Sequence, residues 1–127
     1  MKKEIVASGK APKAAGPYSQ AVKYNGLVYA SGTMPLVPET GEVAEGGIEG
    51  QAKQALNNLG AVLEEAGSSF DKVLKTTVFI KNMNDFATVN AIYSEYFKTD
   101  APARSCIEVA RLPKDVLFEI ECIAVCE

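Results

Sequence analysis

Apolar residues recur along this chain at two spacings, and the spacing assigns most segments to an element. From Ile48 the positions Ile48, Ala52, Ala55, Leu56, Leu59, Val62, Leu63 and Ala66 fall three and four apart, which is one face of an α-helix, and Gly67 stands where a C-terminal cap belongs. A second helix is predicted from Asp85 to Phe97, with Asp85 as its cap and Phe86, Val89, Tyr93, Tyr96 and Phe97 toward the core. Elsewhere the alternation has a period of two and predicts strands near 3–7, 21–24, 27–32, 73–80, 103–109 and 118–125. Asn25-Gly26 between the second and third strands is a two-residue hairpin signal, because both positions tolerate positive φ, so those strands run antiparallel. The turn at Leu112-Pro113-Lys114-Asp115 joins the last two. The order β-β-β-α-β-α-β-β predicts an α+β fold, a six-stranded mainly antiparallel sheet with two helices on one face.

One helical layer covers one face of a sheet, yet these strands are apolar on both faces. Val78 and Ile80 alternate with Phe79, and Ile120, Cys122 and Ala124 alternate with Ile123 and Val125. A monomer would expose a large apolar patch, so the pattern predicts self-association.

Composition narrows the function classes. The 127 residues, 47% hydrophobic and 23% charged, fit one domain over 1–127. A net charge of −3 lacks the basic footprint that drives nucleic-acid binding, so no nucleic-acid partner is expected. No run suits a signal peptide or a membrane span, and a cytoplasmic protein without membrane contact is expected. The chain has no His, which excludes Ser-His-Asp and Cys-His catalysis and any imidazole-ligated metal. Cys106, Cys122 and Cys126 form neither an even disulfide set nor a CxxC pair and read as reduced thiols; no metal site is expected.

The chemistry then centres on Ala101-Pro102-Ala103-Arg104-Ser105-Cys106-Ile107-Glu108, which sets one of only two arginines inside what reads as a buried strand. A guanidinium there offers a rigid fork for a carboxylate or phosphate, or else pairs with one of the chain's own acids. Cys106 shares its face, and without His only Arg104 is near enough in sequence to depress the thiol pKa for nucleophilic work. Glu119 and Glu121 share a face with Ile123 and Val125; apolar neighbours raise a carboxyl pKa and a nearby guanidinium lowers it, a balance that suits a general base, while Glu121 reads as a solvated strand end. Asn90 lies on the apolar face of the second helix, as a satisfied core amide or a ligand contact. Tyr18 follows the rigid Gly16-Pro17 turn, and Ser31-Gly32 ends the third strand with a hydroxyl and an approachable backbone. Lys75 on its strand reads as an exposed lysine. Gly46-Gly47 with Gly50 lacks phosphate-loop spacing, so no nucleotide cofactor is indicated.

The segments Gly16-Pro17-Tyr18-Ser19-Gln20-Ala21, Ala30-Ser31-Gly32, Gln54-Ala55-Leu56-Asn57-Asn58-Leu59 and Lys75-Thr76-Thr77-Val78-Phe79 resemble the RidA family, the reactive intermediate deaminases also called YjgF. So do Asp85-Phe86-Ala87-Thr88-Val89-Asn90, Pro102-Ala103-Arg104-Ser105-Cys106, Val109-Ala110-Arg111-Leu112-Pro113 and Glu119-Ile120-Glu121, and the match runs in order over essentially the whole chain. The resemblance implies a chorismate-mutase-like fold assembled as a homotrimeric barrel with clefts between subunits. It implies hydrolysis of enamine and imine intermediates such as 2-aminoacrylate to 2-oxo acids and ammonia, as a 2-iminobutanoate/2-iminopropanoate deaminase with no cofactor or metal. By position, Arg104 would hold the substrate carboxylate, Glu119 would orient or deprotonate the attacking water, and Cys106 would give mainly backbone contacts. Tyr18, Ser31, Gly32 and Asn90 would line the cleft. The same cleft in a non-catalytic binding or regulatory module would hold small 2-oxo or other carboxylic acids. Ribonuclease activity, claimed for some relatives, finds no support in an acidic chain without His.

Overall fold

The structure, a computed structural model, describes residues 2–126. Its elements follow the chain as β1 (Glu4–Val6), β2 (Ala21–Tyr24), β3 (Leu27–Thr33), α1 (Gly47–Glu65), β4 (Val73–Ile80), α2 (Phe86–Tyr96), β5 (Ala103–Glu108) and β6 (Phe118–Val125). They form one six-stranded sheet in the order β1-β2-β3-β6-β4-β5. Neighbours are antiparallel except β4 and β5, whose parallel pairing follows from the α2 crossover between them. Asn25 and Gly26 turn the β2–β3 hairpin at φ 52° and 81°, as a two-residue loop of this kind requires.

Both helices pack on one face of the sheet. The α1 stripe of Ala52, Ala55, Leu56, Leu59, Val62 and Leu63 is buried, in one core with Val28, Val78, Ile120 and Ala124 from the sheet. Gly67, at φ 80°, ends the helix, and the Ser68 N–H reaches back to the Leu63 carbonyl at 2.8 Å. Asn58 is buried in the same helix because it has work there: its Nδ2 donates to the carbonyls of Met34 (3.0 Å) and Leu36 (2.8 Å), and its Oδ1 accepts from Gln54 (2.9 Å). The two carbonyl bonds fasten the 34–46 connection, itself closed by a Leu36–Val43 bridge, onto α1. Among the described residues no helix is long and apolar enough to cross a membrane.

Three expectations are corrected. Asp85 occupies the position before α2 but makes no capping hydrogen bond. The chain enters α2 from a 3-10 turn, Met83–Asp85, whose own start is held by Asn82 accepting from the Asn84 N–H at 2.9 Å, so Asp85 lacks the extended backbone that a capping side chain needs. The buried stripe of α2 is Val89, Ile92 and Tyr93, with Phe97 just beyond; Phe86 is 37% exposed because it lies over the sheet's last strand, and Tyr96 is only partly covered, edge-on to Phe70. Finally, β5 is not a buried strand. It is the sheet edge, most of its residues are exposed, and Ile107 is left 44% accessible.

The face away from the helices carries Tyr29, Phe79, Ile107, Ile123 and Val125, all exposed or partly so. The two-sided apolar character read from the alternation is thus present in three dimensions.

Candidate functional site

Strand parity and register divide the expected site residues into two groups on opposite faces of the sheet. On β5, Arg104 and Cys106 lie opposite Thr76 and Val78 of β4, both fully buried, so their side chains face the helices. On β6, Glu119 lies opposite Phe79 and alternates with buried Phe118 and Ile120, so it faces the open side.

The first group is built by β5 and α2. Arg104 Nη1 donates to Asn90 Oδ1 at 2.8 Å. The guanidinium carbon stands 4.8 Å from the centre of the Tyr93 ring and 5.6 Å from that of Phe86. Asn90 and Tyr93 lie three residues apart on α2, with Phe86 one turn before Asn90, so one helical face supplies all three contacts. Among the described residues Arg104 has no carboxylate partner, and the internal ion pair that the sequence left open is not formed. Asn90 is neither a core amide nor a bystander; it is the acceptor that holds the arginine. Burial raises the Cys106 thiol pKa, with Arg104 opposing, which disfavours a thiolate nucleophile. Cys122 is pushed up to about 12 by burial, and Cys122 and Cys126 are free, buried fillers.

The second group is built by the end of β3. Between Ala30 and Thr33 the β3–β6 register slips, so that Ser31 and Gly32 together oppose Glu121, the two-against-one arrangement of a β-bulge. The bulge aims the two residues differently. Ser31 Oγ donates to the Ser19 carbonyl at 2.6 Å, and its N–H donates to the Gln20 carbonyl at 2.9 Å, tying the Tyr18-bearing loop to the strand. Gln20 anchors the rest of that loop, donating to the carbonyls of Ser8 (3.1 Å) and Pro12 (2.8 Å). Gly32 faces Glu119, whose carboxylate occupies the space that any Cβ at this position would need. Burial raises the Glu119 pKa, and repulsion from Glu121 adds to it. Tyr18 is 53% exposed, its hydroxyl accepting from the Ala15 N–H at 3.2 Å, and with Ser31 it borders a mainly apolar cavity of about 210 Å³ reaching Val62 and Pro113.

Tyr18, Ser31, Gly32 and Glu119 are therefore linked, as are Asn90, Arg104 and Cys106, while Arg104 and Glu119 are on opposite faces, two strands apart across the sheet and, since their partners on β4 are Thr76 and Phe79, offset along it as well, about 14 Å in the sheet plane. Lys75 is bound to Ser105 Oγ at 3.1 Å on the open face, apart from both groups. Phe86 and Tyr93 were assigned to the core by their spacing; their contact with Arg104 depends on the β4–β5 pairing, for which the sequence carries no local signal. Among the described residues no group of three or more Cys, Asp or Glu side chains is placed to hold a metal ion.

Comparison with known proteins agrees over the whole chain. The family model described as endoribonuclease L-PSP matches residues 8–126. A RutC family protein of Synechocystis is 57% identical over 127 residues, covering 98% of each chain. The mouse 2-iminobutanoate/2-iminopropanoate deaminase is 49% identical, over 97% of this chain and 91% of its own. Among solved structures, E. coli TdcF with bound serine superposes with a TM-score of 0.91 at 45% identity, covering 98% of this chain and 99% of that one. The sheet order, the bulge at Ser31-Gly32 and the arginine on the edge strand thus sit in a chain that belongs to the RidA/YjgF family, the family that the endoribonuclease L-PSP model describes.

Proposed function

We propose that this protein hydrolyses small 2-imino acids, 2-iminobutanoate and 2-iminopropanoate with enamine tautomers such as 2-aminoacrylate, to 2-oxo acids and ammonia without a cofactor. The observation that carries the reading is Arg104: a guanidinium held by one amide and two aromatic rings, with no carboxylate of the described chain against it. Such a fork matches a ligand carboxylate, and a charge-assisted pair of this kind is worth roughly 1.5–3 kcal/mol. The mouse relative's name and the serine held by TdcF, itself a small amino acid with a carboxylate, point the same way.

With the carboxylate on Arg104, water adds to the imine carbon and gives its proton to the Glu119 carboxylate. Glu119 passes that proton to the nitrogen to give the tetrahedral adduct, then carries the adduct's hydroxyl proton to the same nitrogen as the carbon–nitrogen bond breaks, leaving a 2-oxo acid and ammonia. General-base help of this kind contributes about 10²–10⁴ in rate. Tyr18, Ser31 and Gly32 border the reacting carbon, and Cys106 contributes its backbone.

Because Arg104 and Glu119 face opposite sides of one sheet, one chain cannot present both to a molecule of four carbons. A second copy brings its Glu119 group to the Arg104 group of the first, and a homotrimer with one cleft per subunit contact satisfies all three copies while covering Tyr29, Phe79 and Ile123. A ribonuclease reading gains nothing from a net charge of −3 and a sequence without His.

The test generates 2-imino acids with an amino-acid oxidase and traps them with semicarbazide. The wild-type protein is expected to lower the trapped fraction, and Arg104→Ala is expected to lose the effect while staying folded. Full activity in Arg104→Ala overturns the assignment. Saturable binding of 2-oxobutanoate without any acceleration selects a binding module instead.

A further inference from the structure

The reaction above uses Arg104, yet nothing in it uses the aromatic ring on which Arg104 rests. Tyr93 is buried in α2, and its hydroxyl pairs at 2.8 Å with Thr76 Oγ1, a fully buried side chain of β4. Thr76 is also the register partner of Arg104 across the β4–β5 pairing. The ring is thus tethered to the strand beside the one that carries the arginine. Burial raises the Tyr93 pKa and keeps the phenol neutral, so its hydrogen bond to Thr76 persists at ordinary pH.

Orientation is what a carboxylate-binding arginine lacks by default. The side chain carries roughly 2 kcal/mol of rotamer entropy, and a two-point hydrogen bond to a carboxylate demands one plane for the guanidinium. The bond to Asn90 fixes one nitrogen but leaves rotation about that contact. A ring whose centre is 4.8 Å from the guanidinium carbon restricts the plane, and Phe86 at 5.6 Å restricts it further. Only one of the guanidinium's five N–H donors is spent within the described chain, which leaves the others for a ligand.

We propose that Tyr93, tethered by Thr76, is a positioning residue that sets the plane of the Arg104 guanidinium for an incoming carboxylate. The inference rests on the carboxylate-binding role given to Arg104 above. It separates Tyr93 from an ordinary core aromatic, whose loss would lower stability and leave the arginine unaffected.

The sequence makes the test clean, since Arg104 and Arg111 are its only arginines and the guanidinium nitrogen spectrum holds two sets of signals. In the ¹⁵N-labelled protein, with Arg104→Lys used for assignment, the Arg104 Nη signals are expected to be resolved by slow rotation. In Tyr93→Leu they are expected to merge, with KM for the trapped imine raised about tenfold and kcat changed less than about threefold, the signature of lost ground-state and transition-state binding together. Tyr93→Phe keeps the ring but loses the tether to Thr76, and is expected to fall between the two, with partly broadened Arg104 signals and a KM raised less than in Tyr93→Leu. Titration with 2-oxobutanoate supplies a binding readout that needs no turnover. If the wild-type protein shows no deamination while the Arg104 signals and 2-oxobutanoate affinity respond to Tyr93→Leu, the reaction is wrong and the positioning role stands. Merged Arg104 signals in the wild type overturn the inference whether or not any variant folds. So do unchanged signals and an unchanged KM in a folded Tyr93→Leu.

Discussion

Glu119 and Gly32 are fitted to one another so closely that neither makes sense alone. The carboxylate fills the space where a Cβ at position 32 would be, and it is half-buried there beside Glu121, which raises its pKa. The sign of the consequence for stability is set by that shift. An ordinary Glu in the unfolded chain loses its proton first as pH rises, the folded protein holds its proton longer, and stability falls through the interval between the two values. A base is useful only once ionised, so activity appears at the upper end of that interval, where the folded carboxyl itself loses its proton and the fall in stability levels off. Glu119→Gln is therefore expected to lose deamination yet melt at a higher temperature than wild type above that interval, with the difference shrinking as pH is lowered toward the ordinary Glu value. Thermal melts of both proteins across pH 4–8 check this, and a Gln variant that is less stable at every pH would contradict it. At this scale the sequence is a partial guide. It singled out Arg104, Glu119, Gly32 and Asn90, but it left Asn90 between a core amide and a ligand contact because the choice depends on which side chain stands opposite. The answer, Arg104, comes from β5, fourteen residues further on.

At the scale of elements, local signals were decisive wherever the physics is local. Asn25-Gly26 supplied the positive φ angles of the hairpin, and the spacing from Ile48 to Ala66 fixed the buried face of α1. The helix between β4 and β5 accounts for their parallel direction, but no local signal carried the place of β5 at the sheet edge, which converts an arginine that reads as buried into an accessible one. The same placement leaves Phe86 exposed beside Arg104 rather than in the core. Asn58 is the polar exception inside α1, and its bonds to the Met34 and Leu36 carbonyls hold the 34–46 connection that continues from the bulged end of β3. Asn58→Leu removes the donor to two carbonyls while adding only apolar volume, so it is expected to cost about 1–3 kcal/mol in urea unfolding. An unchanged midpoint would mean that the connection is held by other contacts.

At the scale of the whole molecule, the alternation of apolar residues on both faces of one sheet was legible, and the expectation of self-association rests on it. The division of labour was not, because it requires knowing that Arg104 and Glu119 fall on opposite faces, which follows from strand order and a bulge rather than from composition. Under the proposed reaction, that division makes assembly part of the chemistry. It is tested most directly by mixing two inactive proteins, Arg104→Ala and Glu119→Gln, unfolding them together and refolding them as mixed oligomers. Each variant alone is expected to leave the trapped imine unchanged. In a cyclic assembly of equal parts, a cleft receives an intact arginine from one copy and an intact glutamate from the next about one time in four, so the mixture is expected to recover about a quarter of the wild-type rate. Mixed oligomers that form, as judged by mass, and recover no activity would contradict a site built from two copies of the chain.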